Sequence, residues 1–400
     1  MLRFYIKMKV YWALNRKFSN VVAGTWDLNN DHRQIFDLAL KFSDKELAPF
    51  AGHWDQHSLF PKETFKHSAT LGFGGIYCKS EFGGSELSRL EASLIFECLA
   101  KGCVSFSVYL SVHNMVAWIL DTFGSTQLKS KYLSSLFSFD KFGAYCLTEP
   151  TSGSDAASMK TTAKYADGYY YINGSKMFIT GGDAGDLMLV MCKTSEKQIS
   201  CLAVEKGFEG VQVSKSELKH GWNSHPTNMI SFDNVKVPKE NLVGKEGEGL
   251  KIALKALEGG RVNVSSCGIG GAWFALEKTR DYMEGREQFG QKLKEFQYLR
   301  FKMAEALSEL TTSRIVVRHA AKLLDDGNPD RGIIASISKL VATDLCYEVA
   351  NKAVQYHGGM GVIKSTGVER VLRDLRILQI VEGSNEIMRM IISRNLFSND

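Results

Sequence analysis

The sequence predicts a mostly α-helical protein with a small β domain in its middle, and three observations indicate this fold class. Apolar residues recur at helical spacing from about residue 31 to 140, as in the series Ile35, Phe36, Leu38, Ala39 and Phe42. Between roughly 145 and 240 the pattern changes to short β-rich runs separated by turns. Beyond 245 long helical patterns return. The expected order is therefore helices, β domain and helical bundle.

The limits of these regions follow from turn residues and prolines. In the middle region, GYYYINGSKMFIT carries an Asn173–Gly174 hairpin signal, DLMLVMCKT follows it, and MISFDNVKV alternates. Only one of the six prolines falls after residue 238, so the last region can hold long helices. We therefore expect a helical domain at 26–143, a β domain at 144–245 and a helical bundle at 246–400.

The positive charge of the chain is concentrated at its start. The formal net charge is +5, and residues 1–20 hold five basic residues and no acidic one, so the remainder of the 400 residues balances. Because acidic and basic residues after residue 20 are equal in number, a general nucleic-acid surface, which needs a basic patch, is not expected. Basic residues mixed with Leu2, Phe4 and Trp12 are typical of a mitochondrial targeting peptide, which we predict at 1–25 with the matrix as destination. An unstructured tail without a targeting role is the alternative.

Membrane, metal and dinucleotide-fold proteins are not expected. The longest stretch free of charged residues, Gly102 to Leu120, contains Ser105, His113 and Asn114, so it predicts a buried helix rather than a membrane span. The eight cysteines form no CxxC pair and no cluster with histidine, which argues against a metal site or a disulfide framework. The segment GIGGAW at 268–273 lies in a helical pattern rather than a βαβ unit, and its small residues predict close helix packing.

The segment QIVEGSNEIMR at 379–389 raises the question of a catalytic base. Glu382 follows an apolar run, and a carboxylate among apolar residues is costly to ionise, as in a base held in a dry pocket. The alternative is an ordinary carboxylate before a helix, because Gly383, Ser384 and Asn385 supply a turn and a cap for the next apolar stretch. The local pattern leaves both interpretations open.

Four other motifs could hold a cofactor. The segment YCLTEPTSGSDAAS (145–158) offers backbone N–H groups and hydroxyls to an anion or a flavin, although a plain surface loop has the same composition. The alternation of KMFIT (176–180) suits a flavin-binding strand and a half-buried strand equally. The arginine of GREQFG (285–290) could bind a pyrophosphate, and the glycines of QYHGGMG (355–361) allow close backbone approach to a phosphate. Helix capping also explains the last two motifs.

The order and spacing of these motifs are informative together. With GGR at 259–261 and EGSNEIMR at 382–389, they resemble the acyl-CoA dehydrogenase family of flavoenzymes, from about Trp26 to Leu396. The resemblance implies an α-helical N-terminal domain, a β-barrel middle domain and a C-terminal four-helix bundle. Segments such as GWNSHPT and GGRVNVSSC look most like the members that oxidise isobutyryl-CoA to methacrylyl-CoA in valine breakdown. The implied reaction is FAD-dependent α,β-dehydrogenation of a short branched acyl-CoA, with electrons passed to electron-transferring flavoprotein.

The resemblance also assigns roles to residues. Glu382 matches the base that removes the α-proton of the acyl thioester, and Gly260 stands where some relatives place their base instead. The positions expected to bind FAD are Tyr145, Cys146, Leu147, Thr148, Ser154, Phe178, Ile179, Thr180, Arg286, Gln288, Phe289, Gln355, His357, Gly358, Gly359, Ser384, Asn385 and Glu386. The positions expected on the substrate side are Ser154, Glu258, Arg261 and Gly383, and no metal is expected.

Some of these positions imply an oligomer. Arg286 and Phe289, together with Gln355, Gly358 and Gly359, match residues that reach the cofactor of a neighbouring subunit, so the resemblance implies a homotetramer. Thr151, Asn223 and Met360 depart from the family pattern without removing a chemical group. Other functions stay open: a short-chain or 2-methylbutyryl-CoA dehydrogenase, a non-catalytic assembly protein that retains the fold, and an oxidase.

Overall fold

The computed structural model describes residues 21–397 and contains, in order, helices, a β-sheet and a second set of helices, which confirms the predicted fold class. The helices of the first part are α1 (Asn30–Phe42), α2 (Ala51–His57), α3 (Lys62–Ala69), α4 (Arg89–Gly102), α5 (Val104–Phe123) and α6 (Thr126–Phe137). A single π-helical turn, Ser43–Leu47, continues α1.

Helices α4 and α5 form the buried centre of this first part. Helix α4 begins at a capping box, in which the Ser88 hydroxyl accepts from the Glu91 N–H (3.1 Å) and the Glu91 carboxylate accepts from the Ser88 N–H (2.7 Å). Helix α5 is buried along most of its length, as its uncharged sequence predicts. The rings of Phe65 and Phe106 stack with centroids 4.0 Å apart and join α3 to α5.

The middle part is an eight-stranded sheet. Its strands are β1 (Gly143–Cys146), β2 (Thr162–Ala166), β3 (Tyr169–Thr180), β4 (Leu187–Lys193), β5 (Ile199–Glu205), β6 (Val211–Val213), β7 (Thr227–Pro238) and β8 (Leu242–Val243). The path of paired strands is β6-β7-β3-β2-β4-β5-β8, and β1 pairs with β4 in parallel. Strand β4 is buried on both faces: Met188 and Val190 face the core enclosed by the sheet, and Leu187 and Leu189 face α5 and α6. This double burial holds β1 and its Tyr145 against the helices.

The hairpin predicted at Asn173–Gly174 is wrong. The turn between β2 and β3 lies at Asp167 and Gly168, which have φ values of +51° and +82°. Strand β3 continues through Asn173 because it pairs along its length with β7, and a register shift at Gly174 absorbs the irregularity. Pairing with a distant strand therefore overrides the local turn signal.

The third part consists of α7 (Gly249–Gly285), α8 (Gln297–Asp325), α9 (Arg331–His357), α10 (Val368–Leu378) and α11 (Asn385–Phe397), with a short hairpin of β9 (Glu287–Gln288) and β10 (Gln291–Lys292) between α7 and α8. The middle of α7 is buried, and its glycines permit the predicted close packing. A Cβ atom at Gly270 would lie 2.1 Å from the carbonyl oxygen of Glu97 in α4, and one at Gly271 would lie 2.9 Å from Leu375 in α10.

A buried ion cluster ties the start of the described chain to the helical body. Arg314 and Arg318 of α8 donate to the carbonyl oxygens of Val22 and Gly24. Both guanidinium groups also pair with the buried Glu97, at 2.6 and 3.3 Å. Residues 22 and 24 are therefore part of the folded body, whereas residues 1–20 of the predicted targeting segment lie outside the described residues. The other predicted domain limits stay predictions.

Disulfides, metal sites and membrane-spanning helices are not found in the part of the chain that the structure describes. All eight cysteines lie within residues 21–397, are buried and form no disulfide. Across the same range, no group of three or more His, Cys, Asp or Glu side chains is arranged to hold a metal ion. No helix of the described chain is long and apolar enough to cross a membrane.

The contact between α4 and α7 predicts the effect of adding one methyl group. We expect Gly270→Ala to lower the free energy of unfolding by about 1–3 kcal/mol, because its Cβ would meet rigid backbone of α4 at 2.1 Å. Gly52→Ala is the control: it adds a methyl group to helix α2 where nothing lies within 4 Å, so the stability should not fall. Thermal unfolding measures both, and an unchanged midpoint for Gly270→Ala would contradict the packing described here.

Candidate active site at Glu382

Glu382 lies in the loop between α10 and α11, which holds it in an unusual backbone conformation. The loop is closed by hydrogen bonds from the Val381 N–H to the Ile377 carbonyl (3.2 Å) and from the Asn385 N–H to the Gln379 carbonyl (3.0 Å). The φ angle of Glu382 is +57°, a left-handed value that a glutamate adopts at a cost. Strained residues of this kind cluster at functional sites, where the surroundings enforce them.

The carboxylate of Glu382 rests directly on helix α7 at Gly260. A Cβ atom at residue 260 would lie 2.5 Å from Oε2 and 2.7 Å from Cδ of Glu382. These distances are shorter than van der Waals contact, so a side chain at residue 260 would displace the carboxylate from this position. Some relatives place their base at the position of Gly260. In this chain the glycine instead leaves space in which the Glu382 carboxylate lies.

One oxygen of the Glu382 carboxylate is shielded from solvent, although the residue as a whole is half-buried. Its Oε2 atom is buried and has no hydrogen-bond partner among the described residues. Burial raises the pKa of Glu382 from its ordinary value to about 7, and the charges of Arg261 and Lys339 oppose this rise. A carboxylate with a raised pKa binds a proton more strongly near neutral pH, which a general base requires.

Two buried cations hold the main chain on either side of this carboxylate. Arg261 of α7 donates to the Glu382 carbonyl oxygen (3.3 Å) and to the Ser336 hydroxyl (3.1 Å). Lys339 of α9 donates to the Gly383 carbonyl oxygen (2.9 Å) and to Oδ1 of Asn385 (2.6 Å). Burial lowers the pKa of Lys339 to about 7, with the Glu382 and Asp344 charges acting in the opposite direction. Helices α7 and α9 thus fix the Glu382 loop through charge-assisted hydrogen bonds.

Other buried polar atoms without partners lie near Glu382. They are the Tyr145 hydroxyl on β1 and the Oδ1 atom of Asn263 on α7. Burial raises the pKa of Tyr145, and the charge of Glu382 adds to this effect, so the two side chains are close in space. Asn263 lies about one helical turn beyond Gly260 on α7. We call the space between β1, α7 and the Glu382 loop the acyl cleft. Unpaired buried polar atoms in one place indicate a ligand site.

The first predicted flavin loop follows Tyr145 and is firmly held. Buried Glu149 accepts from Lys176 Nζ (2.7 Å) and from the Thr161 N–H (3.0 Å). The Thr148 carbonyl oxygen accepts from the Met177 N–H (2.8 Å), which places Thr148 beside the second predicted flavin segment. The Leu147 and Thr148 side chains are half-buried, and Ser154 is exposed farther along the loop.

The second flavin segment presents an aromatic ring to solvent. Phe178 has a φ of +58° at a register shift of β3 and is 60% exposed, although it belongs to a strand of the sheet. Its neighbour Ile179 is buried in the sheet core, so Phe178 and Thr180 flank it on the opposite side. The exposed ring therefore lies on strained backbone beside the braced loop of Thr148, and its role in binding a flavin stays a prediction.

The remaining predicted cofactor residues lie on the outer surface. Arg286, Gln288 and Phe289 sit on the hairpin after α7, where Phe289 is 94% exposed. Gln355, Gly358 and Gly359 are exposed at the end of α9, and an added Cβ at either glycine meets nothing within 4 Å. Ser384 and Glu386 lie at the start of α11, half-buried and exposed. These positions are accessible on the described surface, and their roles in binding FAD stay predictions.

Five predicted site residues have side chains that are engaged elsewhere. Cys146 and Ile179 lie in the core of the sheet, His357 bonds the Ala353 carbonyl (2.7 Å), and Asn385 bonds Lys339, Thr343 and Asp344 within the helical bundle. Their expected contacts with the cofactor stay predictions. Glu258 pairs with Arg331 at 3.4 Å, and its expected role on the substrate side stays a prediction.

The departures from the family pattern also have places in the structure. Asn223 donates to Asp55 (3.0 Å), which also binds Arg373 (2.7 Å), so the asparagine is part of a polar cluster. Thr151 and Met360 are exposed. None of the three lines the acyl cleft at Glu382.

Family descriptions match the chain in three consecutive segments: "Acyl-CoA dehydrogenase, N-terminal domain" at residues 29–140, "middle domain" at 144–235 and "C-terminal domain" at 247–397. The chain belongs to the acyl-CoA dehydrogenase family. It is an enzyme of this family, and its reaction class is acyl-CoA dehydrogenation.

Two relatives are nearly half identical to the chain. The chain is 46% identical over 372 residues to isobutyryl-CoA dehydrogenase, mitochondrial, of Bos taurus, covering 92% of this chain and 89% of the relative. It is 45% identical to isobutyryl-CoA dehydrogenase, mitochondrial, of Dictyostelium discoideum, covering 96% and 94%.

Solved structures share the fold. Butyryl-CoA dehydrogenase from Megasphaera elsdenii has a TM-score of 0.90 at 35% identity, covering 93% of this chain and 100% of that one. A structure of PigA with FAD and proline has a TM-score of 0.90 at 30% identity, covering 93% and 98%. A chain from work on the electron transferring flavoprotein of Acidaminococcus fermentans has a TM-score of 0.91 at 37% identity, covering 94% and 100%.

Sequence reasoning missed Lys339, Ser336, Asn263 and Arg89, which surround the site. Lys339 had a detectable signal, because it is a single cation within the apolar helical stretch IIASISKLVA, where an unpaired lysine is costly. Asn263 and Arg89 carried no such signal, since their importance depends on which helices meet at the acyl cleft.

The contact between Gly260 and Glu382 predicts the effect of one methyl group on catalysis. We expect Gly260→Ala to lower kcat/KM about 100-fold, because the new Cβ displaces the carboxylate by about 1 Å. The thermal midpoint and the bound flavin should change little. Gly285→Ala on the same helix, where an added Cβ meets nothing within 4 Å, is the matched control and should retain full activity. Equal activities of the two variants would contradict the contact.

The raised pKa of Glu382 predicts the pH dependence of the reaction. The base acts only when unprotonated, so kcat/KM should rise with pH through an inflection near 7. Lys339→Met removes a charge that lowers the pKa of Glu382, so the inflection should move to higher pH. Lys352→Met is the control on the same helix, because Lys352 pairs with Glu309 (2.6 Å) away from the site. An inflection that is the same in all three proteins would refute the electrostatic role of Lys339.

Proposed function

We propose that the chain catalyses FAD-dependent α,β-dehydrogenation of a short branched acyl-CoA, with isobutyryl-CoA as substrate and methacrylyl-CoA as product. The observation that carries this proposal is the Glu382 carboxylate, buried without a partner on Gly260. The two isobutyryl-CoA dehydrogenases, at 45% and 46% identity over more than nine-tenths of this chain, support the choice of substrate.

The proposed reaction begins at the α-carbon of the thioester. This α-proton is weakly acidic, so the enzyme must both strengthen the base and stabilise the enolate charge on the thioester oxygen. Burial of Glu382 serves the first need. For the second, the main-chain N–H of Glu382 has no acceptor among the described residues and is available to the thioester oxygen. Arg261 and Lys339 hold the two carbonyl groups of this segment and thereby keep its N–H groups oriented.

When bound, FAD would supply the acceptor for the β-hydrogen, which leaves as hydride. The residues proposed to hold its ring are Thr148 on the braced loop and Phe178 with Thr180 on β3. The exposed Arg286 and the open backbone at Gly358 and Gly359 suit its pyrophosphate and adenosine portions. These last three residues are proposed to act on the cofactor of a neighbouring protomer, which would make the enzyme an obligate homotetramer.

The electron acceptor and location belong to the same proposal. Electron-transferring flavoprotein is the proposed acceptor, and the likeness to a chain from the Acidaminococcus fermentans electron transferring flavoprotein work supports it. The mitochondrial matrix is the proposed location, supported by the two mitochondrial relatives and the basic, acid-free residues 1–20.

A substrate panel tests the proposal. We expect anaerobic addition of isobutyryl-CoA to bleach the flavin, with kcat/KM for isobutyryl-CoA above that for butyryl-, 2-methylbutyryl- and isovaleryl-CoA. One methylene discriminates by about 1–3 kcal/mol, so 2-methylbutyryl-CoA should react measurably. Highest kcat/KM for butyryl-CoA would instead assign a straight-chain enzyme.

The variant Glu382→Gln separates binding from chemistry. It should retain FAD and bind isobutyryl-CoA, but its kcat/KM should fall about 10²–10⁴-fold because the general base is lost. Full activity of Glu382→Gln would show that another group removes the proton. Failure of every acyl-CoA to bleach the wild-type protein would indicate a non-catalytic member of the fold.

A further inference from the structure

Arg89 is the first residue of helix α4, and its side chain points toward helix α7. The carboxylate of Asp325 in α8 fixes the start of α4 by accepting from the N–H groups of Arg89 (2.6 Å) and Leu90 (3.1 Å). The main chain of Arg89 is therefore held firmly, which restricts where its guanidinium can lie.

The Arg89 guanidinium lies against two aromatic rings. Its Cζ atom is 3.7 Å from the ring centroid of Tyr77 and 5.0 Å from that of Trp118 in α5. The charge of the Asp325 carboxylate acts on Arg89, and the hydrogen bond between the two residues comes from the Arg89 main-chain N–H. A planar cation stacked on aromatic faces is stabilised by them and forms a flat wall.

A glycine on α7 makes room for this wall. A Cβ atom at Gly259 would lie 2.7 Å from Nη1 of Arg89 and 3.1 Å from its Cζ. The guanidinium therefore occupies the space that a side chain at 259 would fill, just as the Glu382 carboxylate occupies the space at Gly260. Two consecutive glycines of α7 thus accept two charged groups that come from different parts of the chain.

The two groups lie on neighbouring sides of the acyl cleft. Asn263 of α7 follows both glycines by one helical turn, and its side chain donates to the Tyr77 hydroxyl (3.2 Å) while its Oδ1 atom is buried without a partner. The ring of Tyr77 therefore joins the Arg89 guanidinium to the helix face on which Glu382 rests. Gly259 and Gly260, against which the guanidinium and the Glu382 carboxylate lie, are consecutive residues of α7.

We propose that Arg89, stacked on Tyr77 and seated on Gly259, closes the acyl end of the cleft and limits the substrate to short acyl chains. This inference rests on the function proposed above and adds the residue that sets chain length. The Arg89 side chain acts by filling space that longer acyl chains would need, and Gly259 leaves room for its guanidinium.

The test uses the FAD-loaded enzyme and acyl-CoAs of increasing length. We expect Arg89→Ala to raise the ratio of kcat/KM for hexanoyl-CoA to that for isobutyryl-CoA at least about tenfold, because removal of the guanidinium opens space for further methylenes. Arg89→Lys keeps the charge but lacks the planar group, so its ratio should lie between those of the wild type and Arg89→Ala. Thermal stabilisation by hexanoyl-CoA should follow the same order and does not depend on turnover.

Two comparisons make the outcome specific. Arg280→Ala removes a half-exposed arginine paired with Asp281 at the far end of α7, and its chain-length profile should match the wild type. An unchanged profile in both Arg89 variants, with flavin content and thermal midpoint retained, would overturn the proposal. Selective bleaching of the wild type by succinyl-CoA or glutaryl-CoA, lost in Arg89→Lys, would also overturn it, because the guanidinium would then bind a substrate carboxylate.

The substrate preference of the wild type and the chain-length profile of Arg89→Ala test the proposed function and the role of Arg89 separately. If the wild type prefers butyryl-CoA but Arg89→Ala extends the accepted chain length, the residue role stands and the choice of isobutyryl-CoA fails. If the wild type prefers isobutyryl-CoA and Arg89→Ala does not alter the profile, the proposed function stands and the role of Arg89 fails.

Discussion

The structure depends on one close contact: the carboxylate of Glu382 rests on helix α7 where Gly260 has no side chain. A built Cβ at that position would come within 2.5 Å of Oε2, so the glycine lets the carboxylate lie against the helix in this position. The approach buries the carboxylate, and burial raises its pKa to about 7. Packing between two segments more than 120 residues apart in sequence thus determines the proton affinity of the base.

The three parts of the fold each contribute to this environment. The bundle supplies Gly260, Arg261 and Lys339, which fix the position and charge environment of the Glu382 loop. The sheet contributes Tyr145 of β1. Strand β1 pairs with the buried strand β4, and Tyr145 packs against the core shared with the helices. The first helices contribute the start of α4, with Arg89. The site exists only where the three parts meet, so none of them contains it alone.

The sequence was sufficient for the fold class, and it predicts Glu382 as the base for a different reason. Periodicity identified the long helices, because a helix such as α7 is specified by its own local pattern. The local pattern around Glu382 was ambiguous, and the resemblance to a family selected the base. The Asn173–Gly174 signal failed because β7, more than 50 residues later, keeps β3 extended through it. Lys339 and Arg89 were missed because their roles arise from contacts between distant helices. Local patterns do not encode such contacts.

The most direct measurement is the protonation of Glu382 itself in the enzyme without substrate. Infrared difference spectra of the carboxyl stretch, recorded across pH for the wild type and Glu382→Gln, isolate the titration of this single group. We expect a protonated carboxyl signal that is lost with a midpoint near pH 7, because burial on α7 disfavours the charged form. A midpoint near 4.5, the ordinary value for glutamate, would contradict the contact on Gly260 and the catalytic role derived from it.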